Sequence, residues 1–127
     1  MPIMETRIKH YVLPVPSTDL DGPVRLEDDG SQVTLSFECA ASGKRVVGRL
    51  RFGKVRAYRH RAEVYCTAWH IEDAYDTLVE VQSSRWAEEI RSQTSRGWTE
   101  EWTLRHFMIY LDSAGCYELL ADYWSTD

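Results

Sequence analysis

Two consecutive stretches of the chain alternate between apolar and polar residues, which is the pattern of β-strands with one buried face. In the stretch 32–39, Val33, Leu35 and Phe37 fall on one face and polar residues fall on the other. The stretch 45–52 alternates in the same way and follows a plausible turn. The pattern therefore predicts two strands that are neighbours along the chain.

Further strands are predicted where β-branched and aromatic residues are concentrated. These segments are 5–13, 63–71, 77–81, 104–111 and 116–124. The last two flank Asp112–Gly115, where the Asp side chain can bond the turn backbone and Gly115 tolerates a positive φ. They are therefore expected to form a C-terminal hairpin over 104–124. The proline-rich and acidic segment 14–30 predicts an exposed loop or ribbon.

The apolar period changes after residue 82, where a helix over about 84–95 is predicted. Ser83 or Ser84 can cap its first turn, and Trp86 and Ile90 share one face. Gly97 follows as a residue suited to the end of a helix. We therefore predict a single α+β domain over 1–127, in which a largely antiparallel sheet of about five to seven strands packs against one main helix.

The amino-acid composition limits the cellular compartments and the classes of protein that we expect for this chain. The 127 residues are 43% hydrophobic and contain three cysteines, Cys39, Cys66 and Cys116, without a CxxC pair. An odd number at wide spacing is a poor disulfide framework, so reduced thiols in the cytoplasm are expected. Neither a membrane helix nor a signal peptide is predicted, since long apolar runs are lacking and charges occupy the N-terminal segment.

The charges are distributed unevenly along the chain. Twenty acidic and fifteen basic residues give a net charge of −5, yet the segment 40–62 contains eight cations and no carboxylate. Alternation along strands would gather these cations on one sheet face. The candidate binding residues are Arg49, Arg51, Lys54, Arg56, Arg59 and Arg61.

Three interpretations of this cationic face remain open. Its arginines can pair with carboxylates such as Glu63, Glu72, Glu80 or Glu118 and simply keep one face soluble. They can bind an acidic protein partner, because guanidinium groups bind carboxylates in a bidentate manner. They can also bind RNA or DNA. Nucleic acid ranks below a protein partner, because the acidic remainder of the chain would repel phosphates.

Catalytic and metal-binding motifs are weak. The four histidines, His10, His60, His70 and His106, lack HxxxH or HExxH spacing, and the sequence has no glycine-rich phosphate loop. Neither a catalytic residue, nor a metal site, nor a cofactor is therefore assigned. Whether the chain has any enzymatic activity stays open.

The abundance of tryptophan offers an alternative site. Aromatic side chains can line a ligand pocket with a few polar groups. The candidate pocket residues are Trp69, Trp86, Trp102, His106 and Glu118. A partly buried Glu118 would have a raised pKa and would be the first candidate for acid–base chemistry. A cross-strand salt bridge from Glu118 to Arg105 explains the same residue more simply.

The C-terminal string carries one resemblance. The residues His106-Phe-Met-Ile-Tyr-Leu-Asp112-Ser-Ala-Gly115-Cys-Tyr117-Glu118-Leu-Leu-Ala121, preceded by Ser84-Arg-Trp86, resemble small bacterial cytosolic proteins that form a domain of unknown function. The resemblance covers the hairpin, implies a single-domain bacterial protein and transfers no catalytic residue. In size and charge alone, the chain is also similar to the small acidic immunity proteins that neutralise bacterial toxins.

The sequence thus favours a non-enzymatic cytosolic protein that docks a protein partner through a cationic strand face, as an immunity or accessory protein would. The alternatives are a small-molecule-binding protein or enzyme with a tryptophan-lined pocket, and an RNA-binding protein. The partner, the strand order and the oligomeric state are not determined by these patterns.

Overall fold

The alternating and periodic segments form strands and helices in a computed structural model that describes residues 5–41, 43–94 and 103–126. The strands in these ranges are β1 (Thr6–Val12), β2 (Arg25–Asp28), β3 (Gln32–Ala41), β4 (Lys44–Gly53), β5 (Ala57–Arg61), β6 (Thr77–Gln82), β7 (Arg105–Leu111), β8 (Gly115–Ala121) and β9 (Tyr123–Thr126). The helices in the same ranges are α1 (Ala68–Ile71) and α2 (Arg85–Gln93), and Ser17–Asp19 and Glu63–Tyr65 form single 3-10 turns.

These strands build two antiparallel sheets. Sheet I has the order β1-β6-β7-β8-β5, and sheet II has the order β2-β3-β4-β9. The chain crosses from sheet II to sheet I between β4 and β5, and returns between β8 and β9. The fold is broadly α+β but rich in sheet, so the prediction of one sheet against one main helix is only partly right.

The main core lies between the two sheets. Alternation turns Val33 and Leu35 of sheet II toward Phe107 and Leu119 of sheet I, and all four side chains are fully buried. The outer face of sheet I holds a second apolar cluster that includes Val79, Val81, Met108, Tyr110 and Cys116, against which Trp69 and Ile71 of α1 pack. The strands of the C-terminal hairpin are therefore covered on both faces, as their sequence predicts.

Several predicted elements are confirmed. Strands occupy the predicted segments 5–13, 32–39, 45–52 and 77–81, with end points shifted by a few residues. Ser84 is the N-cap of α2, and its Oγ accepts a hydrogen bond of 3.1 Å from the backbone N–H of Ala87. The predicted helix end at Gly97 lies outside the described residues. No helix within the described ranges is both long enough and apolar enough to cross a membrane.

The predicted strand over 63–71 is wrong. Glu63 leaves the sheet because its carboxylate accepts hydrogen bonds from the Tyr110 hydroxyl, at 3.0 Å, and from the Ser113 backbone N–H. Thr67 then starts α1, since His70 Nδ1 accepts the Thr67 backbone N–H at 3.0 Å. Local side-chain hydrogen bonds thus override the β-propensity of the segment.

Two further strand predictions need correction. The predicted strand 116–124 is divided, because β8 ends at Ala121 and the Asp122 N–H donates to the Gly53 carbonyl at 3.0 Å. This bond directs the chain into sheet II, where Trp124 of β9 pairs with Phe52 of β4. The segment 14–30, predicted as an exposed loop or ribbon, contains the largely exposed strand β2, which pairs with β3.

Substitution of Gly115 tests the turn that connects the two strands of the C-terminal hairpin. Its φ is +103°, and a Cβ there would overlap the carbonyl oxygen of Arg61. Gly115→Ala is expected to lower the free energy of unfolding by clearly more than the roughly 1–2 kcal/mol typical of a left-handed alanine. Gly30→Ala is the matched control, because φ is +100° there but a Cβ would meet open space. Equal losses in urea unfolding would show that the contact with β5 does not constrain the turn.

Candidate functional site

The cationic segment is divided between the two sheets. In β4, Arg49 and Arg51 alternate with the buried Leu50 and Phe52, so they point outward from sheet II. In β5, Arg59 and Arg61 pair in register with Glu118 and Cys116, whose side chains face the outer side of sheet I. The two pairs of arginines therefore point to opposite sides of the molecule, and the expected single cationic face does not form.

The remaining cations occupy other positions. Lys54 lies between β4 and β5 with φ of +54°, and the backbone N–H of Arg56 donates to the Leu120 carbonyl at 2.8 Å. Arg45 is neutralised by Asp21 at 3.1 Å and Glu38 at 3.4 Å. Arg49, Arg51 and Arg56 each make interactions within the protein.

A buried carboxylate at Glu118 organises the outer face of sheet I. Its side chain is only 3% exposed. The Arg59 guanidinium donates two hydrogen bonds to this carboxylate, from Nε to Oε2 at 2.9 Å and from Nη2 to Oε1 at 3.0 Å. His106 on the neighbouring β7 bonds Oε1 through Nε2 at 2.8 Å. The expected partner Arg105 lies on the opposite face of sheet I and pairs with Glu80 at 2.9 Å, so that expectation is corrected.

These partners determine the charge of Glu118. Burial alone would raise the pKa of the Glu118 carboxyl, but the hydrogen bonds from His106 and Arg59 and the positive charge of Arg59 together lower it to about 2. The expectation of a raised pKa is therefore wrong. A carboxylate that stays ionised and fully bonded is suited to holding structure rather than to donating a proton.

The hydrogen-bond chain continues from His106 into helix α2. Nδ1 of His106 lies 2.7 Å from the Ser84 hydroxyl oxygen, which also accepts the Ala87 N–H. Because a carboxylate only accepts, Nε2 of His106 must carry a hydrogen. The hydroxyl can donate to a neutral His106 or accept from a protonated one. The chain Arg59–Glu118–His106–Ser84 therefore ties β5, β8, β7 and α2 together.

Aromatic rings enclose this chain. The Arg59 guanidinium lies 4.0 Å from the centroid of the Trp86 ring. Trp86 meets His106 edge-on at 5.2 Å between centroids, and Trp69 lies 6.3 Å from the same ring. The structure thus brings Trp69, Trp86, His106 and Glu118 together, whereas the candidate residue Trp102 lies outside the described residues.

Ser84, His106 and Glu118 are linked by hydrogen bonds in the order serine–histidine–glutamate, which is also the composition of a hydrolase catalytic triad. The surroundings of these residues differ from those of a catalytic triad. A catalytic serine must reach its substrate and face donors for the oxyanion. Ser84 is 7% exposed and its oxygen already serves the helix N-terminus and His106, whose side chain is completely buried. The nearby cleft of about 230 Å³ is shallow, and neither Trp69 nor Trp86 is among its lining residues. This arrangement positions α2 rather than a substrate.

The thiols and metal ligands offer no alternative chemistry in the described part of the chain. Cys116 is fully buried, and burial followed by the Glu118 charge raises the pKa of its thiol. A buried thiol with a raised pKa is a poor nucleophile. In the described ranges, no three His, Cys, Asp or Glu side chains are grouped to hold a metal ion.

An exposed apolar turn follows β5. Val64 is 81% exposed and Tyr65 is 71% exposed, the highest values for large hydrophobic side chains in the described ranges. The Arg61 guanidinium donates to the Tyr65 carbonyl at 3.4 Å, which places the turn beside the outward-facing arginines. We call Arg59, Arg61, Val64 and Tyr65 the β5 surface. Sequence reasoning missed its apolar half, because it assigned these residues to a strand.

Comparisons with protein-family models, with curated proteins and with solved structures give no match. The resemblance of the hairpin to small bacterial proteins therefore stays a prediction. The function must be inferred from the residues and their surroundings.

The pH dependence of stability tests the charge of Glu118. Its pKa is about 2 in the folded protein, well below the ordinary value of a glutamate carboxyl, so the folded state favours the ionised form. This stabilisation is complete above about pH 5 and is lost as the pH falls toward about 2, by up to about 3 kcal/mol. Urea unfolding at several pH values should show the loss in wild type and a flatter profile in Glu118→Gln. The exposed Glu89→Gln is the control, and equal profiles for the two variants would contradict the assignment.

Ser84 tests the link to helix α2. Ser84→Ala removes both the cap and the partner of His106, and should cost about 1–3 kcal/mol of unfolding free energy. Ser84→Thr keeps the hydroxyl and should recover most of it. Ser92→Ala, which removes an exposed hydroxyl of the same helix, should cost less than about 0.5 kcal/mol. If Ser84→Ala left the free energy of unfolding unchanged, the hydrogen-bond chain would not be what holds the helix in place.

Proposed function

We propose that this chain is a non-enzymatic binding protein that docks an acidic segment of a protein partner on the β5 surface. One observation carries the proposal: Arg61, on the outer face of β5, donates to the carbonyl of Tyr65, and Val64 and Tyr65 are the two most exposed large apolar side chains of the described residues. Arginine and tyrosine beside aliphatic side chains are typical of the central residues of protein interfaces. An immunity or accessory protein of a bacterial cytosol would act through such binding.

The position of β5 supports strand addition. Among the residues that the structure describes, it is the last strand of sheet I and β8 is its pairing partner. An edge strand leaves backbone N–H and C=O groups that an extended peptide can bond. The cations of β5 oppose pairing with a second copy of the same strand, whereas an acidic strand would be attracted.

The exposed guanidinium of Arg61 favours acidic groups in the partner. The carboxylate of Glu118 is buried beneath Arg59, and that of Glu63 is bonded to Tyr110 and Ser113. Arg61 is exposed and bonds a backbone carbonyl. Charge complementarity at such a site mainly raises the association rate and the specificity.

The buried chain reduces the cost of binding. Arg59 is fixed by two bonds to Glu118 and by the Trp86 ring. A side chain already held in one conformation loses less entropy when a partner binds. Arg61 and Tyr65 are then the residues expected to contribute most of the new contacts.

Affinity capture from the cytosol of the source organism, after nuclease treatment, tests the proposal. A partner identified by mass spectrometry and purified should bind wild type and the matched control Arg25→Glu, on β2 of sheet II, equally well. Arg61→Glu should bind it at least tenfold more weakly, a loss of about 1.4 kcal/mol. Tyr65→Ala should show a similar loss, and Tyr58→Ala, on the other face of β5, should not.

Two results would contradict the proposal. Equal affinity of Arg61→Glu and Arg25→Glu for the purified partner would remove the β5 surface from the interface. Capture that disappears after nuclease treatment would favour the nucleic-acid alternative, in which Tyr65 stacks on a base between arginines.

A further inference from the structure

A small cavity lies at the end of the sandwich where β1, β3 and β4 meet. Its volume is about 140 Å³. The lining residues are Tyr11, Leu13, Pro14, Val15, Phe37, Cys39, Val46, Val47, Gly48, Arg49, Leu50 and Thr126. It is separate from the β5 surface, and its occupant does not depend on the proposed function.

The floor of the cavity is apolar and buried. Leu13, Phe37, Cys39 and Leu50 are each 7% exposed or less. A Cβ on Gly48 would overlap the ring of Phe37, so the ring lies directly against the backbone of β4. Glycine at this position therefore allows Phe37 to form a flat wall.

The mouth of the cavity is open toward solvent. Val46 pairs with the buried Cys39, which places its side chain on the inner face of sheet II, yet Val46 is 41% exposed. Inner-face side chains elsewhere in β3 and β4, such as Leu35 and Leu50, are covered by sheet I. The sandwich therefore leaves its inner surface accessible at this end.

The cavity favours an uncharged occupant. Among the described residues that line it, Arg49 alone is charged, and strand alternation turns that side chain to the outer face of sheet II. An ionised group placed against the floor would lose its hydration without gaining an opposite charge, which is costly. Apolar cavities of about 150 Å³ stay dry and bind benzene in another protein.

We infer that this cavity is a binding site for an uncharged, apolar molecule the size of a single aromatic ring. Phe37 lines the cavity and can pair with an aromatic ring there, because aromatic pairs are stabilised beyond the area that they bury. Burial of the ring against Leu13 and Leu50 supplies the rest of the affinity.

Titration of the isotope-labelled protein with benzene, followed by amide NMR spectra, tests this site. Wild type should show saturable shifts of the amides of Leu13, Cys39 and Gly48. Val46→Trp should block the mouth and weaken binding at least tenfold. Arg45→Trp is the matched control, because Arg45 neighbours Val46 but is not among the lining residues, and strand alternation points its exposed side chain outward. It should leave binding unchanged.

Three results would overturn the inference. They are the absence of saturable shifts with benzene, equal binding by Val46→Trp and Arg45→Trp, and binding of benzoate as tight as that of benzene. If the spectrum of Val46→Trp shows that it does not fold, Cys39→Leu, which fills the floor with an apolar side chain, replaces it. Retained benzene binding in a folded Cys39→Leu variant would count equally against the site.

Discussion

The burial of one carboxylate, Glu118, is the constraint on which the rest of the structure depends. An ionised carboxylate away from water costs several kcal/mol unless its charge and its hydrogen bonds are fully compensated. Arg59 and His106 supply that compensation from the two strands that flank β8. Ser84 then orients His106 and caps α2, and Trp86 of the same helix stacks on Arg59. A single charge thus links the edge strand, the central hairpin and the helix.

Local patterns predicted the local parts of this arrangement. Alternation identified β3 and β4, and the turn at 112–115 identified the hairpin but not its register. Leu111 lies opposite Gly115, so β8 begins one residue earlier than predicted. This difference of one residue places Arg105 on the face opposite Glu118, which is why the expected salt bridge between them does not form. The pairing of β5 with β8 joins residues that are 59 positions apart in sequence. All eight residues in the segment 40–62 that could pair with Glu118 are cations, so their charge alone did not indicate which of them would contact it.

The division of the cations follows from chain topology. A segment that looks continuous in sequence crosses from sheet II to sheet I after Gly53, so its two halves face opposite sides. The sequence pattern cannot predict such a crossing. Strand periodicity indicates which face of a strand a side chain lies on, but it does not indicate to which of the two sheets the strand belongs. The division leaves Arg61 beside the exposed Tyr65, and the proposed binding surface rests on this combination of charge and exposed apolar area.

A double-mutant cycle between Arg59 and Glu118 tests the central claim most directly. Arg59→Gln, Glu118→Gln and the double variant would be unfolded in urea at neutral pH. The account predicts a coupling energy of about 1–3 kcal/mol, because each single variant leaves the other group without its partner. Additive losses, with a coupling near zero, would show that the two groups stabilise the fold independently and would contradict the account.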